Sequence, residues 1–302
     1  MGSEMCIRDR GEALREAIAK KQETSAECVT VGCGSVGLLQ QAYSAYVDAG
    51  DEVVYPWRSF EVHPIFSAIA QANAVTVPLR DQAFDLDAVQ KAVTAKTKLV
   101  ILSTPNNPTG TVCGTDDLKN LLSGISENVV VIIDEAYLEF VTDKSVRNPV
   151  KEILPEFPNA VVFRTFSKAY GLANLRVGYA IGNSEIIGAI DKVALPFLVN
   201  GLAQTAVLAS LEKEAERELW DRVGEVISER QRVYDVLTAD GWPVTRSQAN
   251  FLWLPLQGEA GAVFQQLESS GIVTRPFENE GIRVTIGTPD ENDRFLDAIG
   301  SR

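Results

Sequence analysis

The chain has 302 residues, 28 of them Lys or Arg and 41 Asp or Glu, for a formal charge of −13. That length suits one large domain with a smaller one, and the acidic balance argues against a nucleic-acid partner, whose phosphates reward clustered Lys and Arg. Four cysteines without a CxxC pair and a single histidine, His63, give no basis for a zinc site. Without a membrane-length apolar stretch or a signal core, the expectation is a cytoplasmic protein with reduced thiols acting on small molecules.

In chain order, residues 1–10 lack apolar periodicity and read as a non-native start, whereas residues 12–18 are helix-forming. Between residues 53 and 182, short Val- and Ile-rich runs at 52–55, 74–77, 99–102, 129–133, 161–163 and 177–181 alternate with helix-like stretches. Strands that are apolar almost throughout belong in a sheet covered on both faces, so this part is predicted as an α/β domain with a mostly parallel sheet and crossover helices. A break is expected near residues 196–201. Beyond it, a polar helix pattern at 212–237 and strands at 251–254 and 282–286 predict a smaller α+β unit. The division is then 11–200 for the large domain and 201–302 for the small one.

Ligands of open parallel sheets bind beyond the carboxyl ends of the strands, so polar residues that end apolar runs carry most weight. Asn107 follows one run in Pro105-Asn106-Asn107-Pro108-Thr109-Gly110, and Asp134 ends another in Asp134-Glu135-Ala136-Tyr137. Thr165, Ser167 and Lys168 follow a third, with Arg176 eight positions on, and the glycine-rich stretch 32–37 precedes a helix pattern starting near Leu38. A lysine between hydroxyl residues with an arginine nearby suits an amine that forms a Schiff base with a phosphorylated aldehyde, and pyridoxal phosphate is the cofactor that fits. Asp134 is the candidate to keep its ring nitrogen protonated, and Asn107 and Tyr137 to hydrogen-bond its phenolic oxygen. Phe60 or Trp57 would supply a stacking face. Thr165, Ser167 and Arg176 would supply donors for the phosphate, together with backbone N–H groups of the glycine-rich turn. Taken singly, each has a plainer reading as a turn, a helix cap or a surface charge, and His63 reads as structural; their joint order at strand ends carries the argument.

These motifs resemble the fold-type I pyridoxal-phosphate aminotransferases of the histidinol-phosphate aminotransferase branch. Within it, the segments 32–36, 57–60, 166–172 and 247–251 look most like the actinobacterial aromatic amino acid aminotransferases. The resemblance implies a seven-stranded sheet with helices on both faces, Lys168 as the Schiff-base lysine, and a phosphate site that includes Ser35 and Val36. It implies Arg283 as the clamp on the substrate α-carboxylate, assisted by Asn250, and Arg275 as the arginine that meets a substrate phosphate. It also implies a homodimer with shared active sites, and a further amino-terminal stretch of which this chain is a truncated product. The activity expected is transfer of an amino group between an aromatic L-amino acid and a 2-oxo acid, 2-oxoglutarate by preference. Histidinol-phosphate transamination, an amino-acid decarboxylase and an inactive cofactor-binding fragment are the alternatives.

Overall fold

Seven strands pair into one sheet: β1 (Val29–Cys33), β2 (Glu52–Trp57), β3 (Asn73–Pro78), β4 (Thr97–Ser103), β5 (Val130–Asp134), β6 (Ala160–Thr165) and β7 (Val177–Gly182), in the order β1-β7-β6-β5-β4-β2-β3. They belong to a computed structural model that describes residues 11–302; the non-native start expected at 1–10 lies outside it. Strands β2 to β6 run parallel, and β7 is antiparallel to both of its neighbours, β6 and β1. The mostly parallel sheet expected from the apolar runs is therefore present.

Its strands are apolar almost throughout because both faces are covered. Leu99, Ile101, Ile132, Val161 and Phe163 pack on one side, and Val100, Leu102, Val131, Ile133 and Val162 on the other, as the two-residue period of a strand demands. A Val or Leu buried this fully contributes about 1.5–3 kcal/mol. Edge strand β1 was not among the expected elements. Its sequence, Val-Thr-Val-Gly-Cys, has no continuous apolar run, and pairing with β7 orders it. The helix after it spans Gly34–Tyr46, starting four residues earlier than the sequence suggested.

Beyond the loop at residues 193–200, a helix at Gly201–Ser210 leads into a 27-residue helix, Lys213–Ala239. Leu219, Val223, Arg230, Val233 and Leu237 form the buried stripe of this long helix. Buried Arg230 donates through Nη1 to the carbonyls of Phe140 (3.0 Å) and Ala249 (2.8 Å), which ties the helix to the loop after β5 and to the segment before the next sheet. That sheet is antiparallel and three-stranded: β8 (Phe251–Leu254), β9 (Arg275–Phe277) and β10 (Gly281–Thr285), in the order β8-β10-β9. Leu252, Leu254, Ile282 and Val284 pack with Val233 and Leu237 of the long helix. Strand β9 was not expected either, being three residues long with Pro276 at its centre.

Among the described residues no helix is long and apolar enough to cross a membrane, and no group of three or more His, Cys, Asp or Glu side chains could hold a metal ion.

Candidate active site

Parallel order brings the carboxyl ends of β4, β5 and β6 to one edge of the sheet, where Ser103 lies opposite Asp134 in the ladder. Because β7 runs the other way, its amino end, with Arg176 just before it, reaches the same edge, and so does the carboxyl end of β1. A cavity of about 350 Å³ opens there, closed on its far side by residues of β9 and β10.

Asp134 forms part of the floor at 8% exposure, and burial pushes its carboxyl up to about 6. The Ala136 N–H at 3.2 Å and the positive charge of Lys168 pull in the opposite direction. Lys168 enters from the turn after β6, with Nζ 5.1 Å from the centroid of the Tyr137 ring. That ring is fixed edge-on against Phe251 at 5.0 Å. Ser103 lines the same floor with a buried hydroxyl that has no hydrogen-bond partner among the described residues.

One end of the cavity is an anion cradle. Gly34 turns the chain with φ +70°, and a Cβ there would overlap the Arg176 guanidinium. The Gly34 N–H donates to the Arg176 carbonyl (3.0 Å), so the arginine backbone holds the start of the helix. A Cβ at Gly178 would likewise collide with the Ser35 nitrogen, so glycine lets β7 approach the first turn closely. Arg176 Nη1 donates to Ser167 Oγ (3.2 Å), leaving that hydroxyl proton free for an anion. The Thr165 hydroxyl is already engaged: it donates to the Val177 carbonyl (3.3 Å) and accepts from the Ser167 N–H (3.1 Å), so it shapes the turn that presents Ser167. First-turn N–H groups, the Ser167 hydroxyl and a guanidinium are together the donors that could hold a dianion.

The opposite end carries two arginines. Arg283 on β10 and Arg275 on β9 are direct cross-strand partners. Arg283 Nη1 donates to Asn107 Oδ1 (2.6 Å), which leaves the Asn107 amide nitrogen free to donate into the cavity; Arg283 Nε is buried with no partner among the described residues. Arg275 Nη2 donates to Glu61 Oε2 (2.8 Å).

Behind these side chains stands a buried scaffold. Asn106, fully buried, accepts from Ser59 Oγ (2.8 Å) and donates to the Arg58 carbonyl (3.1 Å) and Thr109 Oγ1 (2.8 Å), which fixes the loop carrying Asn107. Arg164, 4% exposed, bonds Glu135 (2.8 Å), Gln22 (2.8 Å) and Asn148 (2.9 Å), so the residues next to Asp134 and Thr165 are locked together.

Of the residues named from the sequence, Ser35, Val36, Phe60, Asn107, Asp134 and Tyr137 line this one cavity, as do Thr165, Ser167, Lys168, Arg176, Arg275 and Arg283. Asn250 is not among its lining residues; its carbonyl accepts from the Ile286 N–H (3.0 Å) beside the small sheet. Trp57, the alternative to Phe60, lies outside as well, its ring under the Arg58 guanidinium at 4.3 Å. His63 packs edge-on behind Phe60 at 5.9 Å, and complete burial pushes its imidazole down to about 3. Sequence reasoning missed Ser103 and Glu61. Ser103 could have been found as the last residue of an apolar run, as Asp134 was, but nothing local marks Glu61, whose partner is 214 positions away.

The sequence pattern of the family "Aminotransferase class I and II" matches residues 9–299. An aromatic amino acid aminotransferase of Thermobifida fusca (strain YX) is 47% identical over 283 residues, covering 94% of this chain and 78% of that protein. Another, of Streptomyces coelicolor (strain ATCC BAA-471 / A3(2) / M145), is 48% identical over 269 residues, covering 89% and 74%. Among solved structures, histidinol-phosphate aminotransferase from Sinorhizobium meliloti in complex with pyridoxal-5'-phosphate superposes with a TM-score of 0.88 at 27% identity, over 96% of this chain and 80% of that one. With a match that runs nearly end to end, and a lysine and a buried aspartate at the edge of a mostly parallel seven-stranded sheet, the chain belongs to the class I and II aminotransferases.

Proposed function

We propose that this enzyme transfers an amino group between an aromatic L-amino acid and a 2-oxo acid, with 2-oxoglutarate as co-substrate and pyridoxal phosphate as cofactor, and that it works as a homodimer. The observation that carries the reading is that Lys168, Asp134, Arg176 and Arg283 line one cavity. Its residues fit the cofactor: an anion cradle closed by Arg176 at one end, a buried carboxyl at the floor, and an aromatic wall at Phe60.

When bound, the cofactor supplies an aldehyde for the substrate amine and a ring that accepts the electron pair released at the α-carbon. The chain's own residues do the rest. Asp134 holds a proton on the pyridine nitrogen, because an opposite charge at close range favours the protonated ring. The free amide of Asn107 and the Tyr137 hydroxyl donate to the phenolic oxygen. Ser35 and Val36 N–H groups, Ser167 and Arg176 hold the phosphate, with Thr165 shaping their turn. Arg283, whose buried Nε has no partner among the described residues, takes the α-carboxylate through its planar fork and so orients the α-proton. Lys168, as an amine, would take the proton from the substrate α-carbon and hand it on to the cofactor's aldehyde carbon, so that the amino group stays behind when the 2-oxo acid leaves. Two half-reactions then share one site and give ping-pong kinetics.

We read residues 11–200 as the cofactor-binding domain and 201–302 as the domain that brings the substrate arginines. Self-association is supported by large exposed apolar side chains at Leu195, Phe197 and Leu202, exposed 72%, 59% and 73%. The aromatic preference rests on the names of the relatives and on the Phe60 and Tyr137 walls. Arg275 at the cavity mouth favours a second reading, a phosphorylated amine such as histidinol phosphate. Turnover of phenylalanine plus 2-oxoglutarate, compared with that of histidinol phosphate plus 2-oxoglutarate, tests the choice. A higher kcat/KM for phenylalanine is expected, and dominance of the phosphate substrate overturns it.

A further inference from the structure

Two arginines face each other across β9 and β10 at the mouth of the cavity, and like charges directly opposite in an antiparallel pair repel. Each has a different relief. Arg283 leans on a neutral amide, Asn107, and keeps its full charge for a ligand, whereas Arg275 is neutralised by Glu61, which itself lines the cavity. Arg275 makes a single side-chain hydrogen bond among the described residues, at 2.8 Å, and its partner comes from the loop after β2. The pair is open to solvent, with side chains 57% and 42% exposed, so an arriving anion can compete for it.

A second ion pair, Arg58 with Glu280, spans the same seam with the charges reversed but lines no part of the cavity. Fastening the loop to the small sheet therefore does not require Glu61. What Glu61 adds is a negative charge beside the place where the far end of a substrate must lie once its α-carboxylate is on Arg283.

We infer that Glu61 is a specificity-determining residue: its carboxylate masks Arg275 so that an uncharged side chain meets a neutral wall, and it opposes any substrate whose far end is anionic. This rests on the aminotransferase reading above. With the ion pair kept, an aromatic side chain leaves no charge unpaired. A dicarboxylate or a phosphate has to win the Arg275 guanidinium against Glu61.

The test uses the holoenzyme and two unreactive ligands, glutarate and 3-phenylpropanoate, with dissociation constants from calorimetry. Glu61→Gln is expected to tighten glutarate about fivefold, the size of a partly exposed charge pair, and to leave 3-phenylpropanoate within about twofold. Arg275→Gln is expected to weaken glutarate about as much, again sparing the aromatic ligand. Glu280→Gln, which loosens the same seam without touching the cavity, is expected to change neither ligand by more than about twofold. An unchanged glutarate constant in Glu61→Gln overturns the inference, as does an equal gain in Glu280→Gln. Wild-type holoenzyme that fails to turn over phenylalanine overturns the proposed function instead, and the binding comparison separates the two failures.

Discussion

The two sides of the cavity are held in different ways. The edge of the seven-stranded sheet presents Asp134, Ser103 and Thr165 at 8%, 5% and 5% exposure, each fixed by ladder register and backed by buried side chains. The β9–β10 side presents Arg283, which meets Asn107 on the opposite wall, and Arg275, which meets Glu61 in a partly exposed ion pair, while a second partly exposed pair joins Glu280 of this side to Arg58. Exposed pairs contribute about 0–1 kcal/mol each, against several buried apolar side chains at about 1.5–3 kcal/mol on the sheet side. The contrast matches the tasks proposed. A cofactor that stays bound calls for a preorganised seat, and two alternating substrates call for a wall that can readjust.

The comparison can be broken at several points. On the adaptable side the largest effect is expected at Arg283. Arg283→Gln removes the fork and leaves Asn107 Oδ1 without its donor, so kcat/KM for phenylalanine should fall about 100-fold, as for loss of a charged hydrogen bond. Arg283→Lys should recover little of it, since a point charge cannot replace a planar fork. Recovery to wild-type turnover with Lys would show that charge alone suffices.

Next comes Asp134, where function and stability should part company. Its carboxyl is raised from 3.8 to about 6, chiefly by burial. Well below its ordinary value of 3.8, at about pH 3, both the folded and unfolded chains carry the proton, and the residue costs nothing. As the pH rises, the unfolded chain releases its proton first, so stability falls until the folded carboxyl has also ionised. Above about pH 6 a penalty of roughly 2–3 kcal/mol remains. Asp134→Asn keeps an acceptor for the Ala136 N–H but has no charge to bury. The cofactor-free variant should therefore resist urea better than wild type at pH 8, by about that amount, and match it at about pH 3, while losing amino transfer. Equal stability at pH 8 would mean that the ionised carboxyl carries no burial penalty.

A smaller effect is expected at Gly34. Alanine there takes φ +70°, worth about 1–2 kcal/mol of strain, and displaces the Arg176 guanidinium. Cofactor retention in equilibrium dialysis should weaken about tenfold. Gly188→Ala, with open space around its Cβ, should change nothing and controls for a generic glycine effect.

Much of this arrangement was legible because it is local. Val130-Val131-Ile132-Ile133 announces a strand buried on both faces, and Asp134 at its end marks the functional edge. Lys168, Arg176 and Asn107 were found by the same logic. What escaped depends on pairing across the chain. Strand β1 has no apolar run of its own and exists because β7 supplies a partner, and β9 is three residues around a proline held by β10. Asn250, which the family resemblance gave as an assistant to Arg283, is not among the residues lining the cavity. Glu61 reads as an ordinary surface acid until the fold brings Arg275 to it. Register and strand order, which sequence periodicity does not encode, account for these differences.

The central claim is that Lys168 works in a single site with Asp134 and Arg283 to move an amino group. A half-reaction tests it most directly: phenylalanine is mixed with holoenzyme without any oxo acid, and phenylpyruvate and carbon dioxide are measured. Wild type should release close to one phenylpyruvate per site and no carbon dioxide, whereas Lys168→Ala should lose the reaction by at least about 10⁴-fold. Phenylpyruvate released at the wild-type rate by Lys168→Ala, or carbon dioxide without oxo acid from wild type, would contradict it.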